Sequence, residues 1–196
     1  MDNTKTWEEL ATEFAAARSS VGNGIVRQWA NCLSPGSEVL DIGCGSGVPI
    51  SQALIDAGFT VFAIDASPTL LAMFCHRFPQ AYAVCETIQS STLFGRIFDG
   101  AVAVGLLFLL SESDQRRMIR KVGQALRPGG GFLFTAPPTR CEWLDIQTGQ
   151  LSLSLGKEEY RHILNAAGMH LRNVYVDEGG NYYYDAVLAA QLKEIC

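Results

Sequence analysis

Val39-Leu40-Asp41-Ile42-Gly43-Cys44-Gly45-Ser46-Gly47 is the stretch that decides the fold. Glu38 to Ile42 is short and mostly apolar, and it stops at alternating glycines, as a buried strand stops at a turn. Ser46 to Ala57 then reads as a helix closed by Gly58 as its C-cap, and Thr60 to Ile64 as a second strand. A strand, a glycine turn, a helix and another strand make one βαβ unit.

The pattern continues in both directions. Upstream, Trp7, Leu10, Ala11 and Phe14 share one helical face, and Val26, Trp29, Ala30 and Leu33 share another. Downstream, Ser67-Pro68 opens a helix, because Ser supplies the cap oxygen and Pro presets the first turn. Ala81–Cys85, Phe98–Val104 and Gly131–Ala136 read as strands, with a helix between the last two that starts on the capping pair Ser111 and Asp114. Tyr160, Ile163, Leu164 and Ala167 mark a last helix. Leu171–Val176 and Tyr182–Leu188 form a hairpin around Glu178-Gly179-Gly180-Asn181. Residues 137–156 have no clear period, and we expect an active-site loop there. Alternating strands and helices predict a mostly parallel sheet covered on both faces, within one domain spanning 1–196.

Composition narrows the function classes. Of the 196 residues, 48% are apolar, enough for a sizeable core and against disorder. There are 15 basic and 20 acidic residues, a net charge of −5 with no dense basic cluster, which argues against nucleic acid as a partner. None of the six cysteines forms a CxxC pair, so spacing predicts no zinc site, and a domain this large has a core of its own, which argues against a disulfide framework. The polar start MDNTKTWEEL is unlike a signal peptide, and the apolar run Ala101–Leu110 is too short to span a bilayer. The expectation is a cytoplasmic protein with no membrane partner and no metal.

The glycine loop carries the chemistry. Gly43, Gly45 and Gly47 allow a sharp turn and a close backbone approach to a ligand, although a bare strand-to-helix turn would need the same residues. Three features argue for a particular cofactor. Asp41 precedes the glycines, where a carboxylate suits a cationic group and would repel a pyrophosphate. The dinucleotide fingerprint GxGxxG fails, because its third glycine would fall at Val48. Asp65 ends the second strand 22 positions after Gly43, where a carboxylate can accept hydrogen bonds from ribose hydroxyls. Asp65 could instead serve the following helix as an N-terminal charge, but Ser67 already caps it.

Val39–Gly47 resembles motif I of the class I S-adenosylmethionine-dependent methyltransferases, and Val61-Phe62-Ala63-Ile64-Asp65-Ala66-Ser67-Pro68 resembles their second motif. Ala125–Pro137 resembles the helix-turn-strand that carries a later one. The resemblance covers about residues 20 to 190. It implies a three-layer Rossmann-like α/β sandwich, with a mostly parallel seven-stranded sheet and an antiparallel last strand. It also implies S-adenosylmethionine as cofactor and S-adenosylhomocysteine as product. By position, Gly43, Cys44, Gly45 and Gly47 would line the methionine part, with Asp41 holding its amino group. Asp65 would hold the ribose, with Ala66 and Ser67 beside the adenine. Glu86, with Thr87, would meet the adenine amino group, and Gly105 and Leu106 would border the sulfonium and the acceptor.

The acceptor is less legible. The segment after the fourth strand reads Val104-Gly105-Leu106-Leu107-Phe108, without the Asn/Asp-Pro-Pro-aromatic motif of base and amide methylases. That absence and the acidic charge favour a small molecule. Candidate acceptor contacts are Trp7, Phe14 and Arg18 near the amino terminus, Phe108 after strand four, and Arg140 and Trp143 in the 137–156 loop. For Trp7 and Phe14 core packing is the favoured reading, whereas for Arg140 and Trp143 the two readings balance. Cys44 reads as a small filler, and no catalytic base is identified. Two other readings stay open: a non-catalytic module or partner subunit with this fold, and an NAD-linked oxidoreductase.

Overall fold

A computed structural model describes residues 4–17, 19–146 and 148–190. Seven strands form one sheet: β1 (Glu38–Ile42), β2 (Thr60–Asp65), β3 (Tyr82–Cys85), β4 (Phe98–Ala103), β5 (Leu126–Thr135), β8 (Met169–Val176) and β9 (Tyr182–Leu188). Their spatial order is β3-β2-β1-β4-β5-β9-β8. β1 to β5 pair in parallel, and β9 lies antiparallel to both β5 and β8. The expected Rossmann-like sheet is therefore present, and the antiparallel strand is last in the chain but second from the edge in space.

Strand alternation divides the core into two layers. Val39, Val61, Val102 and Leu133 face α3 (Asn23–Ala30), α4 (Ile50–Asp56) and α5 (Pro68–Arg77). Leu40, Ile42, Phe62 and Phe134 face α6 (Glu112–Gln124) and α7 (Lys157–Ala166). The helix starts follow the expected chemistry. Ser67 Oγ accepts from Leu70 N at 3.1 Å, and Ser111 Oγ accepts from Asp114 N at 3.2 Å.

Three departures from expectation bear on the site. The first helical period is split into α1 (Thr4–Glu9) and α2 (Ala11–Ala17). The helix after the glycine loop opens at Ile50 rather than Ser46, because Val48 precedes Pro49 and a residue before proline avoids the helical region. The 137–156 segment is not structureless: β6 (Cys141–Leu144) and β7 (Leu151–Ser154) pair as an antiparallel hairpin. Among the described residues, no helix is long and apolar enough to cross a membrane.

Candidate active site

The carboxyl ends of β1, β2 and β4 open into a cavity of about 1060 Å³. It lies where the strand order reverses at β1, the usual ligand position in such sheets. Its size sits at the top of the range of roughly 300–1,000 Å³ seen for single small-molecule sites, so it has room for two ligands.

The glycine loop forms one wall and is strapped to the end of β2. Gly43 N and Cys44 N both donate to Ile64 O, at 2.8 and 3.1 Å. Gly45 N donates to Asp65 Oδ2 at 2.7 Å, and Ser67 N donates to Asp65 Oδ1 at 2.8 Å. Asp65 thus stands at the cavity wall with its orientation fixed. Burial pushes its carboxyl above the usual carboxylate range, against the lowering effect of the Ser67 and Gly45 N–H groups. Desolvation likewise pushes the Cys44 thiol well up, with Asp41 and Asp65 nearby adding to it, so Cys44 is a neutral filler.

The structure gathers most of the expected cofactor residues. Gly43, Cys44, Gly45, Asp65, Ala66, Ser67, Glu86, Thr87, Gly105 and Leu106 all line the cavity. Asp41 and Gly47 do not. Asp41 is 2% exposed and accepts a hydrogen bond from Ser51 Oγ of α4. It shares a strand face with Val39, behind the loop, as alternation requires. Gly47 is held by packing: a Cβ there would lie 2.5 Å from the Phe78 ring and 2.7 Å from that of Phe74, at a backbone φ of +82°.

The acceptor candidates divide. Phe14 and Phe108 line the cavity, and Phe14 is the nearest side chain above Gly45. Trp143 packs against Phe108 with ring centroids 5.5 Å apart and supports that wall from behind. Arg140 turns outward and pairs with Glu112 at 2.9 Å, which corrects its expected place. The backbone of Trp7 lies in α1, and Arg18 falls outside the described residues.

Two sets of residues were missed. The hairpin brings Asp145, Gln150, Leu151 and Leu153 to the cavity. The alternation Leu151-Ser152-Leu153-Ser154 is a period-two strand signal that could have revealed it. The second set ties down the roof. Glu8 accepts from Ser67 Oγ and from Thr69 Oγ1, and Gln150 Nε2 donates to Thr6 Oγ1 at 2.6 Å. Helix α1 is thereby joined to α5 on one side and to the hairpin on the other. These partners are distant in the chain, so no local signal could have found them.

A family model for a methyltransferase domain matches residues 39–130. The cypemycin N-terminal methyltransferase of a Streptomyces species is 26% identical over 210 residues, covering 100% of this chain and 85% of that protein. The next two curated relatives match over only 52% and 43% of their own length. Among solved structures, the CcbJ methyltransferase from Streptomyces caelestis superposes with a TM-score of 0.77 at 16% identity, covering 97% of this chain and 100% of that one. The 1,6-didemethyltoxoflavin-N1-methyltransferase from Burkholderia thailandensis, solved with 1,6-didemethyltoxoflavin and S-adenosylhomocysteine, has a TM-score of 0.76 at 16% identity, covering 95% and 86%. At these identities the structural likeness is one of fold.

Proposed function

We propose that the chain is a class I, Rossmann-like S-adenosylmethionine-dependent methyltransferase that methylates a small-molecule acceptor by in-line displacement. The observation that carries this reading is the single cavity surface in which Asp65, the glycine loop and the post-β4 segment meet residues of the hairpin. One end has the groups a nucleoside and an amino acid need; the other has apolar and aromatic walls.

The residues fit the cofactor. The Asp65 carboxylate, oriented by two N–H groups, would accept from ribose hydroxyls. Ala66, Ser67 and Glu86 would surround the adenine, and Gly43, Cys44 and Gly45 the methionine part. Asp41, held by Ser51 behind the loop, would act by positioning the loop. Bound S-adenosylmethionine supplies a methyl group already activated on a sulfonium. The protein therefore has mainly to align the acceptor and keep water out. Gly105 and Leu106 would border the reacting atoms. Gly105 N donates to Thr135 Oγ1 at 2.7 Å, which fixes that turn. Phe14 and Phe108 would shield them from solvent.

The name of one structural relative supports a small acceptor, 1,6-didemethyltoxoflavin. Calorimetry with S-adenosylhomocysteine and NAD tests the donor side. Binding of NAD without binding of S-adenosylhomocysteine would overturn the reading. Release of S-adenosylhomocysteine across an acceptor panel then separates an enzyme from a non-catalytic module.

A further inference from the structure

The β6–β7 hairpin carries its polarity inside out. Ser152 and Ser154 of β7 are each 1% exposed, whereas Leu151 is 53% exposed. Leu151 and Leu153 line the cavity, while the two serines turn toward the body of the protein. Ser154 Oγ donates to Pro137 O at 2.7 Å. Leu144, the register partner of Leu151, is 68% exposed, so the apolar strip runs from the cavity wall out to the hairpin tip. Leaving large apolar side chains in water is unfavourable, and a contiguous strip leading out of a cavity is what a ligand with an apolar body would cover.

Carboxylates flank this strip. Glu142, the register partner of Leu153, is exposed on the leucine face, while Asp145, which follows Leu144 and by alternation belongs to the opposite face, lines the cavity. Its Oδ1 accepts from Thr148 N at 2.8 Å and from Thr148 Oγ1 at 2.9 Å, so the turn fixes its direction. Phe108, braced by Trp143, is an aromatic surface in the same cavity. A fixed carboxylate and an aromatic face recognise an ammonium group.

Resting on the proposed methyl transfer, we infer that the acceptor is an amine with an apolar body: the body lies along Leu144, Leu151 and Leu153, and the nitrogen is drawn in by Asp145. The ammonium loses one proton to solvent. The nitrogen lone pair then forms the new C–N bond as the S–CH3 bond breaks, its electron pair staying on sulfur. The product is a methylated ammonium and a neutral thioether.

The test is calorimetric, on protein saturated with S-adenosylhomocysteine, with octylamine, octanol, octanoate and ethylamine as probes. Octylamine should bind at least about tenfold more tightly than each of the others, the scale of one charge-assisted hydrogen bond or of burying several methylenes. Asp145→Asn should bring octylamine to the level of octanol without altering S-adenosylhomocysteine binding. Leu151→Ser should weaken octylamine and octanol alike. Equal or tighter binding of octanoate or octanol, no binding of octylamine, or octylamine affinity unchanged in Asp145→Asn overturns the inference. Failure of S-adenosylhomocysteine itself to bind would instead overturn the underlying methyl-transfer reading.

Discussion

The backbone N–H of Gly45 donates to the Asp65 carboxylate at 2.7 Å, joining the turn after β1 to the end of β2. A residue of the glycine loop and the residue proposed to hold the ribose are thus one unit. The loop shape depends on the carboxylate, and the carboxylate direction depends on the loop.

Asp65→Ala removes both the proposed ribose partner and the acceptor for Gly45 N–H. Affinity for S-adenosylhomocysteine should fall by roughly 1.5–3 kcal/mol, the range for hydrogen bonds to a charged group. Calorimetry checks this; an unchanged dissociation constant would assign Asp65 to loop and helix capping alone.

The same carboxylate predicts a pH dependence. Burial raises its folded-state pKa. In the free protein, its contribution to stability is therefore greatest below the ordinary carboxylate pKa and is lost as pH rises through the raised one. Cofactor binding runs the other way, because the ionised form accepts the ribose hydrogen bonds. Affinity for S-adenosylhomocysteine should weaken on acidification, from neutral pH toward about 4. In Asp65→Asn the decline should disappear. A wild-type profile that stays flat over this range would contradict the assignment.

Gly47 tests packing behind the loop. Gly58→Ala, at φ +85° in open space, should cost about 1 kcal/mol from the left-handed backbone alone. Gly47→Ala meets the same backbone cost plus overlap with Phe74 and Phe78, adding about 1–3 kcal/mol. Denaturant midpoints of the two variants give the difference directly. Equal losses would mean the two rings move aside freely.

Gln115 and Tyr160 clamp the cavity walls from within the core. Gln115 is 0% exposed, and its Nε2 donates to Leu110 O and Leu153 O at 3.0 and 3.1 Å. Tyr160 OH donates to Gln115 Oε1 at 2.7 Å and accepts from Leu155 N at 3.2 Å. Tyr160→Phe leaves both partners without that hydroxyl, and stability should fall by about 1–3 kcal/mol. Amide exchange in 141–155 should accelerate more than in β1 or β4. Uniform acceleration would show a global effect rather than a local clamp.

The sequence by itself determined the βαβ unit, the seven-strand order of succession, the glycine turn and the chain position of Asp65. Each rests on local chemistry: apolar period, cap residues, glycine freedom and the end of a strand. Only the tertiary structure decided that Asp41 bonds Ser51 behind the loop, that Arg140 pairs with Glu112 outside the cavity, and that β7 turns leucines to the cavity and serines to the protein. A two-residue period fixes which side chains share a face of a strand. Which face meets the core and which the cavity is set by packing against segments far away in the chain, and the residues of the strand do not carry that information.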